Sequence, residues 1–276
     1  MTGTVIGVRG GIRFSARRRP WRKLSPIVLG LGLLACQVPA PNVNTLPESA
    51  PTAEGLVAQG NTARENKDYA EAMRLYRQAA DLGDATAVNN IGVLYQRGLG
   101  VSPDYGEALR WYRTASDRGN AAAMDNIGWL YQYGLGVPPD YDEAMHWYRQ
   151  AAERGNAAAM NNVGWLYQNG RGVSKDYGEA MRWYREAAER GNLAAINNIG
   201  SLYQKGLGVA PDYDEAMRWY RQAADRGYAT AMNNIGVLFE QGLGAPKDVG
   251  TAVAWYRRAA AEGSSRAKEA LARMGQ

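Results

Sequence analysis

A 36-residue unit repeats five times without an insertion, and this repeat restricts the possible folds more than any other feature of the chain. The units are 85–120, 121–156, 157–192, 193–228 and 229–264. Each carries a Trp-Tyr pair, an Ile-Gly or Val-Gly pair and further glycines at the same offsets. Copies of this length stack as supersecondary units that contact mainly their neighbours. The sequence therefore predicts a solenoid rather than a single globular core.

The first half of each unit is predicted to be an amphipathic helix. Its apolar residues recur at helical spacing, and in the first copy they are Ala87, Val88, Ile91, Leu94 and Tyr95. Gly98 is placed to end this helix in the left-handed conformation. Gly92 lies inside the helix, where glycine costs about 1 kcal/mol relative to alanine. Its return in every copy predicts close packing, with the backbone of a neighbouring helix as the expected contact.

The second half of each unit is predicted to be another helix. Asp104 is placed to accept backbone N–H bonds as the N-cap, and Glu107 is placed to return a bond to it, as in a capping box. The same pair recurs as Asp140/Glu143, Asp176/Glu179 and Asp212/Glu215. The predicted buried face consists of Tyr105, Ala108, Tyr112 and Ala115.

The unit A-x-x-x-x-I-G-x-L-Y-x-x-G-L-G-V-x-x-D-Y-x-E-A-x-x-W-Y-R-x-A-A-x-x-G-N resembles the Sel1-like repeat, a relative of the tetratricopeptide repeat. The resemblance covers 85–264 and implies an all-α fold, a right-handed α-α superhelical solenoid. Residues 54–84 resemble a degenerate first repeat with a shorter, tetratricopeptide-like loop. Residues 265–276 resemble one further first helix, whose polar residues suit the end of a solenoid.

In such a solenoid the resemblance implies that the first helices line a concave groove. Counting from residue 85 as position one, the groove would be lined by positions two, five, nine, twelve and thirteen. The near-constant amides are predicted to hold a peptide backbone, and the varying aromatic and basic residues to contact its side chains. These candidates are Asn89, Asp125, Asn161, Asn197 and Asn233 at position five, Trp129 and Trp165 at position nine, Gln96, Gln132, Gln168 and Gln204 at position twelve, and Arg97, Tyr133 and Lys205 at position thirteen.

The same residues also fit a purely structural role, without any bound ligand. The amides are equally well explained as solvated polar positions copied by duplication. Trp129 and Trp165 are equally well placed to pack between neighbouring units.

The N-terminal 35 residues have the pattern of an export signal. They contain seven Lys and Arg and no Asp or Glu, and an apolar stretch from Leu24 ends at Ala35. The following residue is the single cysteine, and Leu33-Leu34-Ala35-Cys36 resembles a bacterial lipobox. The resemblance implies acylation of Cys36 and, with Gln37 next to it, an outer-membrane address facing the periplasm. Twin-arginine export, secretion and a cytosolic protein with a misread start remain alternatives.

Residues 36–53 are predicted to be an extended tether because they contain Pro39, Pro41, Pro47 and Pro51. The formal charge of +5 and the pI of 9.2 suggest nucleic-acid binding for the chain as a whole. Seven of the 32 Lys and Arg residues precede Cys36, however, so the remaining 25 stand against 27 Asp and Glu, a net charge of −2. No nucleic-acid partner is therefore predicted.

The sequence contains no recognisable catalytic constellation. One cysteine and one histidine exclude a disulfide framework and a tetrahedral zinc site, and no metal or cofactor is predicted. His146 replaces an arginine of the other units, and no Lys-Ser/Thr follows Gly98-Leu99-Gly100 as a phosphate loop requires. A cysteine-rich branch of the Sel1-like family is linked to penicillin binding and hydrolysis, but this chain lacks its paired cysteines.

The predicted function is therefore a non-enzymatic, peptide- or protein-binding scaffold of the cell envelope, anchored by lipid at Cys36. Two alternatives are kept. One is an envelope enzyme, or an enzyme activator, that acts on peptidoglycan or β-lactams. The other is a cytosolic regulatory scaffold.

Overall fold

A computed structural model describes residues 51–276, and this part of the chain consists of helices joined by turns. The predicted export signal, Cys36 and the tether up to residue 50 lie outside the described residues. The helices are α1 Ala53–Glu65, α2 Tyr69–Asp81, α3 Ala85–Arg97, α4 Tyr105–Asp117, α5 Ala121–Tyr133, α6 Tyr141–Glu153, α7 Ala157–Asn169, α8 Tyr177–Glu189, α9 Leu193–Lys205, α10 Tyr213–Ala224, α11 Ala229–Gln241, α12 Val249–Ala261 and α13 Ser265–Arg273.

The helices pack in the order in which they occur in the chain. The strongest contacts lie within the pairs α1–α2 to α11–α12, and each pair also contacts the next one. Within a 36-residue unit, residues 98–104 connect the two helices, whereas residues 66–68 suffice between α1 and α2. This arrangement confirms the predicted all-α solenoid, with α13 as an unpaired helix at its C-terminal end.

The predicted N-caps of the second helices form, but the capping box does not. The Asp104 carboxylate accepts a hydrogen bond from the Glu107 N–H at 2.9 Å, as an N-cap should. The Asp104 N–H, however, donates to the Tyr95 carbonyl at the end of α3. The Glu107 side chain instead pairs with Arg110 at 2.6 Å. Asp104 therefore bonds to one end of each helix in the pair, and the side chain of Glu107 takes no part in the cap.

Two kinds of glycine shape the unit. Gly98 ends α3 with φ +64°, which confirms the predicted left-handed C-cap. Gly92 lies against an aromatic ring, since a β-carbon placed there would be 2.6 Å from Cε1 of Tyr112. The nearest backbone atom to this β-carbon would be the carbonyl oxygen of Ala108, at 3.3 Å. The predicted close approach is thus made first by a tyrosine ring and only then by helix backbone.

The core runs the length of the solenoid and repeats the same contacts. One tyrosine from each second helix is almost completely buried, and the members of this row are Tyr76, Tyr112, Tyr148, Tyr184, Tyr220 and Tyr256. The predicted stripe of α3 is buried at Ala87, Val88, Ile91 and Leu94. Apolar burial of this kind drives the stacking of one repeat on the next.

Among residues 51–276, no helix combines the length and the apolarity needed to cross a bilayer.

Candidate functional site

The predicted groove residues lie along the first helices of the repeats. Positions five, nine, twelve and thirteen form one stripe on each of α3, α5, α7, α9 and α11, since they are separated by about one or two helical turns. We call the surface made by these positions the first-helix face.

The amides at position five join neighbouring repeats. The Nδ2 of Asn126 donates to the Oδ1 of Asn89 at 3.0 Å. The same bond, from position six of one unit to position five of the unit before it, recurs in Asn162–Asp125 at 2.9 Å, Asn198–Asn161 at 3.0 Å and Asn234–Asn197 at 2.8 Å. Asn89, Asn197 and Asn233 are also largely buried. This row therefore contributes to cohesion between repeats.

The amides at position twelve are held by the buried tyrosines of their own units. The Oη of Tyr148 donates to the Oε1 of Gln132 at 2.8 Å. The equivalent bonds are Tyr112–Gln96, Tyr184–Gln168 at 2.8 Å and Tyr220–Gln204 at 2.6 Å. Burial raises the pKa of each of these tyrosines well above its usual range, so the hydroxyl keeps its proton and donates.

In two units a carboxylate replaces the amide, and these two cases show which partner donates in these hydrogen bonds. Asp125 replaces asparagine at position five, and Glu240 replaces glutamine at position twelve, where it accepts from Tyr256 at 2.6 Å. A carboxylate can only accept, so both positions serve as acceptors in the repeat. The oxygens of the glutamines are thereby used inside the protein, whereas their Nε2 groups donate no hydrogen bond to another residue in 51–276.

Aromatic residues occupy the middle of the first-helix face. Trp129 and Trp165 are half-buried and pack against the core, so each combines a structural contact with a partly accessible side chain. Tyr133 is 57% exposed, and its ring lies 5.1 Å from the ring of Trp129. The exposed Tyr133 provides apolar contact area with few rotamers to lose on binding.

Asp125 is the one acidic residue among the predicted groove residues. Burial raises the pKa of its carboxyl to about 6, and the hydrogen bond from Asn162 only partly counteracts this effect. The carboxylate also lies close enough to Tyr148 to raise the pKa of that tyrosine.

A pocket of about 400 Å³ opens on the C-terminal half of the first-helix face. It brings together five of the predicted residues, namely Trp165, Gln168, Asn197, Gln204 and Lys205. The other predicted residues, from Asn89 to Asn161 and at Asn233, do not line it. We call this hollow the C-terminal pocket.

Eight further residues line the C-terminal pocket and were not among the predicted site residues, namely Tyr184, Asn198, Ser201, Tyr220, Tyr228, Thr230, Asn234 and Arg266. Ser201 stands where the two preceding units have tryptophan, which leaves space beside Trp165. Tyr228 stands where those units have an asparagine N-cap, and α11 has no side-chain cap as a result. The signal for both residues is present in the sequence as a departure from the repeat.

The described residues show no constellation typical of an enzyme. Between residues 51 and 276 there is no group of three or more His, Cys, Asp and Glu side chains arranged to hold a metal ion. His146 is exposed, and its Nε2 lies 2.8 Å from the Nε2 of Gln150 on the same helix.

The repeat itself decides the family. The Sel1 repeat matches residues 60–84, 85–120, 121–156, 157–192, 193–228 and 229–264. The chain belongs to the Sel1 repeat family. Members of this family are typically non-catalytic scaffolds, and Sel1-like and tetratricopeptide-like repeats generally mediate protein–protein interactions.

Solved structures of this family have the same fold. A Sel1 repeat protein from Oxalobacter formigenes is 37% identical, with a TM-score of 0.71, over 78% of this chain and 88% of that one. The uropathogenic Escherichia coli protein c5321, described as a protective antigen with an SLR fold, is 32% identical with a TM-score of 0.62. That match covers 80% of this chain but only 48% of c5321.

A third structure shows the fold alone. The immunity protein Pa5087 from Pseudomonas aeruginosa is 21% identical, with a TM-score of 0.56, over 79% of this chain and 84% of that one. No curated protein matches the sequence.

Proposed function

We propose that this Sel1 repeat protein is a non-enzymatic scaffold of the bacterial cell envelope that binds an extended peptide or protein segment on its first-helix face. The observation that carries the proposal is the row of glutamines at position twelve, whose oxygens are held by buried tyrosines. Their free Nε2 groups present hydrogen-bond donors at intervals of one repeat. Donors of this kind suit the backbone carbonyls of an extended segment, whatever its sequence.

Aromatic residues beside the donors supply the apolar part of the binding energy. The accessible parts of Trp129 and Trp165 and the exposed ring of Tyr133 lie on the same face as the glutamines. Large aromatic side chains dominate the energetics of most protein interfaces because they bury much apolar area with little loss of entropy. The donors would hold the backbone, and the aromatic residues would select the side chains.

Site-specific photo-crosslinking in intact cells tests the binding face. A benzophenone amino acid in place of Tyr133 or Lys205 is expected to capture the same partner protein. Val249 is the matched control, because it is also exposed but lies at the start of a second helix. Equal capture from Val249, or capture from Val249 alone, would show that the first-helix face is not the binding surface.

Substitution of the two tryptophans by valine tests their contribution to binding. The fold already tolerates valine at this position. Valine occupies position nine in the first and fifth units, as Val93 and Val237. The double variant Trp129→Val/Trp165→Val should therefore fold, as shown by an unchanged helical signal in circular dichroism, while its crosslinking from Lys205 falls sharply. Undiminished crosslinking would assign the tryptophans a purely structural role.

The envelope address is part of the same proposal and rests on the sequence before the solenoid. A basic run, an apolar stretch and Cys36 occur in the order of a lipoprotein signal, and a Pro-rich tether follows. Acyl chains on Cys36 would anchor the protein more firmly than the reversible binding of a single chain. The tether would hold the solenoid clear of the outer membrane, on its periplasmic side.

Cell fractionation tests the address. The wild-type protein should be found in the outer-membrane fraction, with a mass that shows acylation, and globomycin should block its maturation. The Cys36→Ala variant should lose the acyl mass and leave that fraction. A wild-type protein in the cytosol with an unmodified Cys36 would contradict the address and leave the binding face to its own test.

A further inference from the structure

We infer that the C-terminal pocket binds the Asp or Glu side chains of an acidic segment in the bound partner. This inference rests on the proposed function, and it names the chemistry of the segment that the first-helix face prefers. It follows from the charges, the donors and the departures from the repeat that meet in this one pocket.

Both charged residues that line the C-terminal pocket are positive, and neither forms a salt bridge within the described residues. Lys205 at the end of α9 and Arg266 near the start of α13 both line it, although they belong to different repeats. No Asp or Glu is among the residues that line the pocket. A hollow with these charges attracts anionic groups.

Neutral hydrogen-bond donors surround the two cations. Gln168 and Gln204 have their oxygens occupied by Tyr184 and Tyr220, and so they offer Nε2 donors to the pocket. Asn197 has its oxygen occupied by Asn234 and offers its Nδ2. A carboxylate has several lone pairs to satisfy, and hydrogen bonds to an ionised acceptor are about twice as strong as neutral ones. A set of donors with both cations therefore fits a carboxylate better than a basic or an apolar side chain.

Two departures from the repeat lie in this pocket. Ser201 replaces the tryptophan of the two preceding units and contributes a hydroxyl. Tyr228 replaces the N-cap asparagine of the two preceding first helices, and the bond that Asn192 makes to the Ala195 N–H has no counterpart at α11. A local rule of helix stability is broken here, and the residue that breaks it lines the pocket. Such departures are expected where a site is favoured over stability.

The occupant is a side-chain carboxylate within a segment and not the end of a chain. The position-twelve donors continue from Gln168 in the pocket to Gln132 and Gln96 in the preceding repeats, so a bound segment has partners beyond the pocket. Adjacent acidic side chains could then reach Lys205 and Arg266 from a backbone held by those donors.

Isothermal titration calorimetry on the full chain in a non-ionic detergent tests this inference. The first probe is a short acetylated and amidated peptide with two Glu residues in a Ser, Ala and Leu background. The second has Gln in place of both Glu, and the third is this Gln peptide with a free C-terminal carboxylate. We expect the Glu peptide to bind about tenfold more tightly than either of the others and to weaken as the salt concentration rises.

Variants in the protein complete the test. Lys205→Gln and Arg266→Gln should each lower the affinity for the Glu peptide about tenfold and leave the affinity for the Gln peptide unchanged. Their matched control is Lys268→Gln, on the same helix as Arg266. All three side chains are exposed, so these substitutions should leave the fold intact.

The possible failures can be told apart. Equal binding of the Glu and Gln peptides would overturn the acidic preference and leave the proposed scaffold function standing. Preference for the free C-terminus, or no binding of the Glu peptide, would overturn this inference as well. The proposed function itself would be contradicted only if crosslinking in cells did not favour Tyr133 and Lys205 over Val249.

Discussion

Asp125 gives the position-five row of amides its one ionisable group and makes the stability of the solenoid depend on pH. Burial raises the pKa of the carboxyl to about 6 from an ordinary value of 3.8. Between these two values the folded protein keeps a proton that the unfolded chain releases. The free energy of unfolding therefore falls as the pH rises through this window, and the penalty is fully present above about pH 6.

Replacing this carboxyl by an amide should remove the penalty. The variant Asp125→Asn keeps an acceptor for Asn162, as Asn161 does for Asn198 in the next unit. We expect the free energy of unfolding to rise by about 2 kcal/mol at pH 8, and to change little near pH 4, because there the carboxyl is already neutral. Urea unfolding followed by circular dichroism at the two pH values measures the difference. An equal gain at both would mean that charge is not the cause.

Within each helix pair, the glycine at position eight fixes how closely the two helices approach. A β-carbon on Gly164 would lie 2.7 Å from the ring of Tyr184, which is itself completely buried. The variant Gly164→Ala should therefore lower the free energy of unfolding by about 2 kcal/mol, although alanine favours the helix, because overpacking outweighs propensity. Thermal unfolding provides the measurement.

The control for this prediction is another helical glycine. A β-carbon on Gly250, in the first turn of α12, would meet nothing nearer than an oxygen of Asp248 at 3.4 Å. Gly250→Ala is expected to leave the stability unchanged or to raise it by up to about 1 kcal/mol. A similar loss in both variants would contradict the packing argument.

The start of α11 shows a conflict between a stable element and a binding residue. Tyr228→Asn should restore the missing N-cap, which is worth about 1 kcal/mol, and should lose part of this through reduced contact of the ring with the core. We expect a net gain of about 0.5 kcal/mol in the free energy of unfolding, together with weaker binding of the Glu peptide. Chemical unfolding and calorimetry on the same sample give both values.

The reverse change provides the comparison for Tyr228. Asn192 caps α9 through a 2.8 Å bond to the Ala195 N–H, so Asn192→Tyr should cost about 1 kcal/mol. If Tyr228→Asn destabilised the protein by as much, the tyrosine would be a packing residue and not a departure made for binding.

The sequence predicted well the features that depend only on residues close together in the chain. The apolar stripe of α3, the C-cap at Gly98 and the N-cap at Asp104 follow from periodicity and from local hydrogen bonds, and the structure has all three. Glu107 did not complete the capping box, because the Tyr95 carbonyl of the other helix takes the N–H that the box requires. A contact between two helices decided that outcome, and the local pattern does not contain it.

The candidate site was predictable in part for the same reason. Five residues of the C-terminal pocket were found from their place in the repeat, but Tyr228 reaches it from the end of its unit, next to α11, and Arg266 reaches it from α13. The stacking of helices brings them together, and no spacing within one unit shows it. Likewise, the bonds between Asn126 and Asn89 depend on the separation of neighbouring helices, so the sequence alone did not show that the amides at position five join the repeats.

At the scale of the whole solenoid, contacts lie mainly between neighbouring helices, and this makes the number of repeats adjustable. In residues 51–276 each helix packs chiefly against the helices next to it in the chain. Polar contacts between units also recur, since Arg149 donates to the Tyr167 hydroxyl at 2.6 Å and Arg185 donates to that of Tyr203 at 3.3 Å. Stability in such an array is close to a sum over repeats and the interfaces between them.

Deletion of one complete unit should therefore leave a folded protein. Removing 157–192 would place Asn198 against Asp125, as Asn162 is now, and Tyr203 beside Arg149, in the place of Tyr167. We expect the same helical signal per residue and a lower free energy of unfolding, because one repeat and one interface are lost. Binding of the Glu peptide should persist, since Trp129 and Gln132 take the places of Trp165 and Gln168 in the pocket. A deletion of 157–174 removes half a unit, places a second helix against a second helix, and should yield aggregated protein. If both deletions folded equally well, the register of the repeat would not be what holds the solenoid together.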